Sequence, residues 1–272
     1  MIAPGSRYVA LGSSYAAGPG IPPVVHRGAL RSGRNYPHQV ARALSLELTD
    51  VTSSGATTAN ILDTPQRTLS GTFPPQVSTV TADTRLVTVT AGGNDAGYIG
   101  ALTKLSVANA VGRRLPGVHL RASAWLADWA GAAPPPSAFV QVADALAEVV
   151  RAVRSQAPQV QVVLVDYLTV VETEPAGASS GRGALPLTPE QARQVEIAGA
   201  GLAAAFERAA SVTGAGLVRA SLESAGHGAG SADPWVTGLK FGNPLTGGAV
   251  PWHPNLTGAT AIARLVVEYL SG

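Results

Sequence analysis

The sequence predicts an α/β protein built on a parallel sheet covered by helices on both faces. Three observations carry that reading. Short runs of β-branched and apolar residues stand as strands, longer stretches with apolar residues three and four apart stand as helices, and the two kinds alternate along the chain. Hydrophobic residues make up 46% of the 272 and charged ones 13%, ample for a large core.

Tyr8-Val9-Ala10-Leu11, stopped at Gly12, has the continuous apolar character of a strand buried on both faces. Pro37 to Leu48 follows as an amphipathic helix through Val40, Ala41, Leu44 and Leu48. A second apolar run, Leu48 to Thr52, leads into Ser53-Ser54-Gly55. Leu86-Val87-Thr88-Val89-Thr90 is the next strand, ended by Gly92-Gly93. Phe139 to Val153 repeats the helical spacing and Pro158 ends it. Val160 to Val165 is rich in β-branched residues and reads as a strand. Thr188-Pro189-Glu190-Gln191 opens a long helix running to about Val212, with Thr188 as N-cap and Gln191 completing a capping box. Ala215 to Val218 supplies a further strand and Leu256 to Leu270 the closing helix. Stretches 113–136 and 174–187 read as loop-like insertions and 221–252 as a long Gly- and Pro-rich connection, the kind of segment that builds binding sites. With no internal repeat and no interdomain linker, residues 1–272 read as one domain.

Composition excludes several classes of function. The 31 Gly and 20 Pro are scattered between apolar runs, so the chain is globular rather than disordered. Net charge is +2 with dispersed arginines, and no basic stripe interleaved with aromatics marks a nucleic-acid surface. There is no cysteine, hence no disulfide, thiol catalysis or thiolate metal site. His26, His38, His119 and His227 share no metal-ligand spacing, and no metal or organic cofactor is expected. No apolar run approaches the roughly 20 residues of a membrane helix. No basic start followed by an apolar stretch marks a leader. The expectation is a cytoplasmic protein, or one secreted after removal of a leader not present in this chain. Oligomeric state is not readable.

Three loops at the ends of predicted strands or runs hold polar residues beside glycine: Gly12-Ser13-Ser14-Tyr15, Ser53-Ser54-Gly55-Ala56-Thr57-Thr58 and Gly92-Gly93-Asn94-Asp95. In a parallel sheet these ends share one edge, where active sites form. Trp252-His253-Pro254-Asn255 precedes the last helix. Taken singly, each has an ordinary structural explanation: a turn serine, a Gly-Asn turn, a helix-entry histidine. Together they offer a hydroxyl nucleophile, the base it needs, and donors for an oxyanion. Gly12 to Gly20 lacks the spacing and lysine of a phosphate-binding loop.

In these four blocks and their order, the sequence resembles the SGNH (GDSL-like) hydrolases, specifically an actinobacterial-type esterase/lipase branch, over almost its whole length. Tyr36-Pro37 and Ser54-Gly55-Ala56-Thr57-Thr58 belong to that likeness. The resemblance implies a three-layer α/β/α, flavodoxin-like fold with a five-stranded parallel sheet. It implies Ser14 as nucleophile and His253 as general base, with an oxyanion hole made by the backbone N–H groups of Ser14 and Gly55 and the Asn94 amide.

Two departures stand out. Ser13 replaces the aspartate usual in the first block, a loop-organising residue whose loss the chemistry should survive. Val250 stands three residues before the histidine, where the family has its acid. A backbone carbonyl, that of Val250, is then expected to orient His253 in a Ser–His dyad, with Asp233 on the same loop as the alternative and Asp95 or Asp166 as remoter ones. Asp95 reads rather as a loop brace. Tyr98, Trp235, Phe241 and Trp252 are candidates for the substrate pocket. The expected function is hydrolysis of small-molecule carboxylic esters, by analogy with short to medium acyl chains, through an acyl-enzyme. Alternatives are a lipase, phospholipase or carbohydrate deacetylase on the same machinery, their pockets set by loops 113–136 and 221–252, and a non-catalytic flavodoxin-like binding protein.

Overall fold

A computed structural model describes residues 2–114, 134–173 and 185–272. Within them, β1 (Arg7–Gly12) runs into a one-turn helix α1 (Ser14–Ala17). A two-stranded hairpin follows, β2 (Val24–His26) and β3 (Arg31–Ser32), then α2 (Tyr36–Leu44), β4 (Glu47–Asp50) and α3 (Thr58–Leu62). A second hairpin, β5 (Gln66–Thr68) and β6 (Gly71–Phe73), precedes β7 (Thr84–Thr90) and α4 (Tyr98–Arg114). The rest is α5 (Pro136–Gln156), β8 (Gln161–Val165), α6 (Pro189–Thr213), β9 (Gly216–Val218), α7 (Ala220–Glu223) and α8 (Leu256–Ser271).

The main sheet has five parallel strands in the order β4-β1-β7-β8-β9. Counting these strands along the chain gives 2-1-3-4-5, the flavodoxin-like order, whose switch point lies between β1 and β7. Tyr8 to Leu11, Leu86, Val87, Val89 and Val162 to Val165 are buried, as strands covered on both faces must be. Helices α2 and α8 pack together, as do α5 and α6, completing the three layers.

The helix expected over 37–48 ends at Leu44. Ser45 adopts a left-handed conformation (φ 53°) and its N–H donates to the carbonyls of Ala41 and Arg42, closing the helix so that residues 47–50 become the edge strand. Helix α4 was not foreseen. Its apolar residues are spread round its circumference instead of forming one stripe, so the 3.6-residue signal is weak. The capping box at Thr188 and Gln191 is present. The connection 221–252 is less open than its composition suggests: it starts inside α7 and is tied to the last helix's entry by the bridge Val236–Pro254. Most of the insertions expected at 113–136 and 174–187 lies outside the described residues, as does His119. Among the described residues no helix is long and apolar enough to cross a membrane.

Candidate active site

The first and third loops meet because β1 and β7 are neighbours at the switch point. A Cβ on Gly12 would lie 2.5 Å from the Thr90 carbonyl oxygen, so only glycine permits this approach. Ser13 N–H donates to that same carbonyl at 2.9 Å. Gln76 holds the Gly12 peptide from both sides, its Oε1 accepting from Gly12 N–H at 2.8 Å and its Nε2 donating to Gly12 O at 3.0 Å. Where relatives of the resembled family carry aspartate, the Ser13 hydroxyl instead meets the Tyr167 hydroxyl at 3.1 Å, and that oxygen accepts the Gly93 N–H at 3.1 Å. Tyr167 thus links the first and third loops. Sequence reasoning missed it, because a tyrosine after a buried strand carries no motif of its own.

Ser14 begins α1, and its Oγ lies 2.8 Å from His253 Nε2 across 239 residues of chain. The other ring nitrogen, Nδ1, lies 2.7 Å from the carbonyl oxygen of Pro251. A carbonyl can only accept, so Nδ1 carries the proton and Nε2 presents its lone pair to the serine. The orienting carbonyl is therefore that of Pro251, a correction to the expectation for Val250. The Val250 carbonyl is occupied by the Thr237 hydroxyl at 2.5 Å and the His253 backbone N–H at 3.4 Å. The geometry follows from Trp252, whose φ of 60° bends the chain so that the ring of residue 253 folds back over residue 251. That turn is held by Tyr15 Oη donating to Trp252 O at 2.6 Å and by Trp252 N–H donating to Thr237 O at 3.1 Å.

No carboxylate faces His253 among the described residues. Asp233 sits with His227, its carbonyl accepting from Nδ1 at 2.8 Å and its carboxylate 3.3 Å away, and its side chain is largely exposed. Asp95 accepts the N–H (3.0 Å) and hydroxyl (2.5 Å) of Thr58 at the start of α3, a brace between the second and third loops. Asp166 accepts from the Ser221 N–H at 2.9 Å and hydroxyl at 2.5 Å, and burial lifts it to about 6. With burial and no anion beside it, the His253 imidazole is pushed down to about 4, against a smaller upward pull from the Pro251 carbonyl. Asp233→Ala is accordingly expected to leave kcat/KM within severalfold of wild type in an ester assay; a collapse with folding intact would mean that Asp233 supplies the missing charge.

Ser14, Gly55, Asn94 and His253 line one open cleft of about 500 Å³. Gly55 has φ 82°, a conformation that glycine adopts without strain. One Asn94 amide hydrogen is committed to Ala56 O at 2.8 Å, which fixes the amide and leaves its second hydrogen available. Ser14 N–H, at the first position of a helix, has no partner within the helix. The cleft walls add Leu30, Ile99, Thr103 and Val107. The i, i+4, i+8 spacing of the last three was the available signal for a helix flanking the site.

Of the four expected pocket aromatics, only Phe241 lines the cleft. Tyr98 is buried with its hydroxyl donating to Val195 O at 3.4 Å, and it faces a separate apolar cavity between α4 and α6. Trp235 is buried and stacks on His227 at 4.1 Å. Trp252 is fully buried. All three drop out because their large rings bury more apolar surface in the interior than an open cleft would cover. Among the described residues, no group of three or more His, Asp or Glu is placed to hold a metal ion.

Comparison with known proteins gives a consistent result. Residues 10–261 match the model of the GDSL-like Lipase/Acylhydrolase family. "Lipase 2" of Streptomyces coelicolor is 34% identical over 272 aligned residues, 97% of this chain and 85% of that protein. The crystal structure of phospholipase A1 from Streptomyces albidoflavus NA297 is similar with a TM-score of 0.70, 22% identity and 98% of each chain covered. The extracellular lipase from Streptomyces rimosus gives a TM-score of 0.69 at 23% identity, again with 98% of each chain covered.

Proposed function

From the premise that this chain belongs to the GDSL-like lipase/acylhydrolase family, and is therefore a carboxylic ester hydrolase, we propose that it works through a Ser14–His253 dyad and an acyl-enzyme intermediate. The observation that carries this is the 2.8 Å contact between Ser14 Oγ and an imidazole nitrogen whose opposite nitrogen is committed to a carbonyl. His253 Nε2 takes the Ser14 proton as Oγ attacks the acyl carbon. Negative charge then develops on the former carbonyl oxygen, where Ser14 N–H, Gly55 N–H and the second Asn94 amide hydrogen converge; each such donor is worth about 2.7–4 kcal/mol in systems of this kind. Collapse expels the alcohol, which takes the proton back from His253. Water then enters and attacks the acyl carbon, losing a proton to His253, and the acid is released as His253 returns that proton to Ser14 Oγ.

The carbonyl of Pro251 holds the tautomer and ring orientation that a carboxylate holds in a triad, without a full negative charge to stabilise the imidazolium. That difference has a pH signature. The profile of kcat/KM reports the ionisations of the free enzyme. For a base depressed to about 4, the rate should stay level from neutrality down to about pH 5 and fall only below that. An acid limb near the ordinary histidine value of about 6.5 would mean that water or an anion offsets the desolvation of the ring. An unchanged limb at high salt with a loss on removing one carboxylate would identify the anion and defeat the dyad. Folding must be followed in parallel. A lowered His253 means the unfolded chain binds more protons between about 4 and 6.5, so stability falls as pH drops through that window. A raised Asp166 means the native state binds more protons between about 3.8 and 6, so stability rises there as pH drops. The two contributions oppose each other.

The most direct test is a fluorophosphonate probe followed by peptide mass mapping, which is expected to add one label, on Ser14. Label on Ser13, or none, would overturn the assignment. Acyl preference is proposed as short to medium. Leu30, Ile99, Val107 and Phe241 in the cleft, and the printed names of the lipase and phospholipase relatives, favour a second reading with longer chains. A p-nitrophenyl ester series from acetate to palmitate separates the two.

A further inference from the structure

Three surface segments form one continuous rim beside the cleft. The hairpin β2–β3 touches the hairpin β5–β6: Gly28 packs on Ser70, and the His26 ring meets Phe73 edge-on at 5.4 Å. On its other side the chain around β2 touches the loop 238–250, Gly20 against the Gly248 carbonyl and Pro22 against Gly247. This rim opens onto the cleft, because Leu30 of the first hairpin and Phe241 of the loop are two of its walls.

Each of the three segments carries an exposed large apolar side chain beside an exposed cation. Val25 (56% exposed) has Arg27, Leu69 at the tip of β5–β6 (110%) has Arg67, and Phe241 (67%) has Lys240. Arg34 adds a fourth exposed cation. Residues 20–34, 66–73 and 238–250 contain no aspartate or glutamate, although the whole chain has 17. The near-neutral net charge of +2 therefore hides a cationic rim and a remainder of the opposite sign. Among the described residues none of the four cations is in an ion pair; Arg31, which does pair with Asp50 at 3.3 Å, is the rim's inward-facing one.

We propose that this rim docks the protein on a lipid–water surface bearing anionic headgroups. Isolated exposed apolar residues are common and mean little. Here three sit on adjacent segments, two of which line the active-site cleft, each with a cation and none with an acid. Shallow insertion of Val25, Leu69 and Phe241 between headgroups, with arginines and lysine at the phosphate level, satisfies both kinds of side chain at once. Each cation near an anionic leaflet is worth about fivefold in partitioning. A nucleic acid would not use the apolar members. The docking is a separate matter from the chemistry at Ser14.

Co-sedimentation with vesicles tests it, using phosphatidylcholine alone and phosphatidylcholine mixed with phosphatidylglycerol, in a Ser14→Ala background so that lipid is not consumed. Binding to the mixed vesicles is expected, weaker by about tenfold or more on the neutral ones and weakened by salt. Leu69→Asp should cut binding to mixed vesicles by about tenfold, and separately the pair Arg27→Glu and Arg67→Glu by about 25-fold or more. With Ser14 restored, the same changes should leave hydrolysis of a soluble p-nitrophenyl ester within about twofold, which also reports that the variants fold. Should a variant lose that activity, Leu69→Ser and Arg67→Gln repeat the measurement with a milder change. No binding to mixed vesicles, equal binding to both compositions, or binding indifferent to these substitutions overturns the docking surface. Soluble-ester turnover in the same samples tells whether the Ser14 chemistry stands apart from that failure.

Discussion

Ser14→Ala is expected to lower kcat/KM on a soluble ester by about four to six powers of ten, with thermal unfolding close to that of the native chain. The size follows from the absence of a substitute nucleophile. Ser13 is adjacent in sequence, but its hydroxyl is engaged at 3.1 Å with Tyr167 and buried at the foot of the loop. Moving it to His253 would break the link to Gly93 and the turn that follows β1. The residual rate should come from substrate held beside oxyanion donors, with water as nucleophile. Removing the hydroxyl also removes the hydrogen bond to Nε2, and the imidazole then faces the cleft without that partner, so no large stability change is expected. Steady-state kinetics on soluble esters measures the loss; activity within about tenfold of wild type would show that the acyl group is transferred elsewhere.

His253→Ala is expected to cost between about a hundred and ten thousandfold in kcat/KM, the range for removing a general base whose serine is otherwise a poor nucleophile. The two groups act as one unit, so the double variant Ser14→Ala with His253→Ala should be scarcely slower than Ser14→Ala alone. Strict additivity would mean the two residues act independently, contrary to the 2.8 Å contact between them. The loss should be smaller than in enzymes where a charged acid backs the histidine, because the Pro251 carbonyl stabilises the imidazolium only as a dipole.

Much of the site could be found in the sequence because its parts sit at punctuated places. Gly12-Ser13-Ser14, Ser54-Gly55 and Gly92-Gly93-Asn94 each follow a strand, and strand ends of a parallel sheet share an edge whatever the details. Glycines that a turn or close approach requires, at positions 12 and 55, leave a mark in the sequence. Residues that assist without a motif leave none. Tyr167, Thr237 and Gln76 matter here through hydrogen bonds made across 74, 16 and 64 residues, and nothing in their own neighbourhoods announces those partners. The pocket aromatics stayed ambiguous for a related reason. A tryptophan or tyrosine beside a site loop suits a core as well as a cleft, and Tyr98, Trp235 and Trp252 went to the interior.

The alternation of strands and helices and the parallel sheet were determined by local pattern and order, and the candidate set of residues 14, 55, 94 and 253 by the likeness that those ordered blocks bear to the family. Which group orients the imidazole was not, since it turns on one backbone angle at Trp252. That left-handed turn is disfavoured for a bulky residue taken alone and is held by Tyr15 and Thr237, contributed from elsewhere in the chain. A hydrogen-bond partner one residue along, Pro251 in place of Val250, is a difference that only assembled contacts can select, because the local sequence permits both.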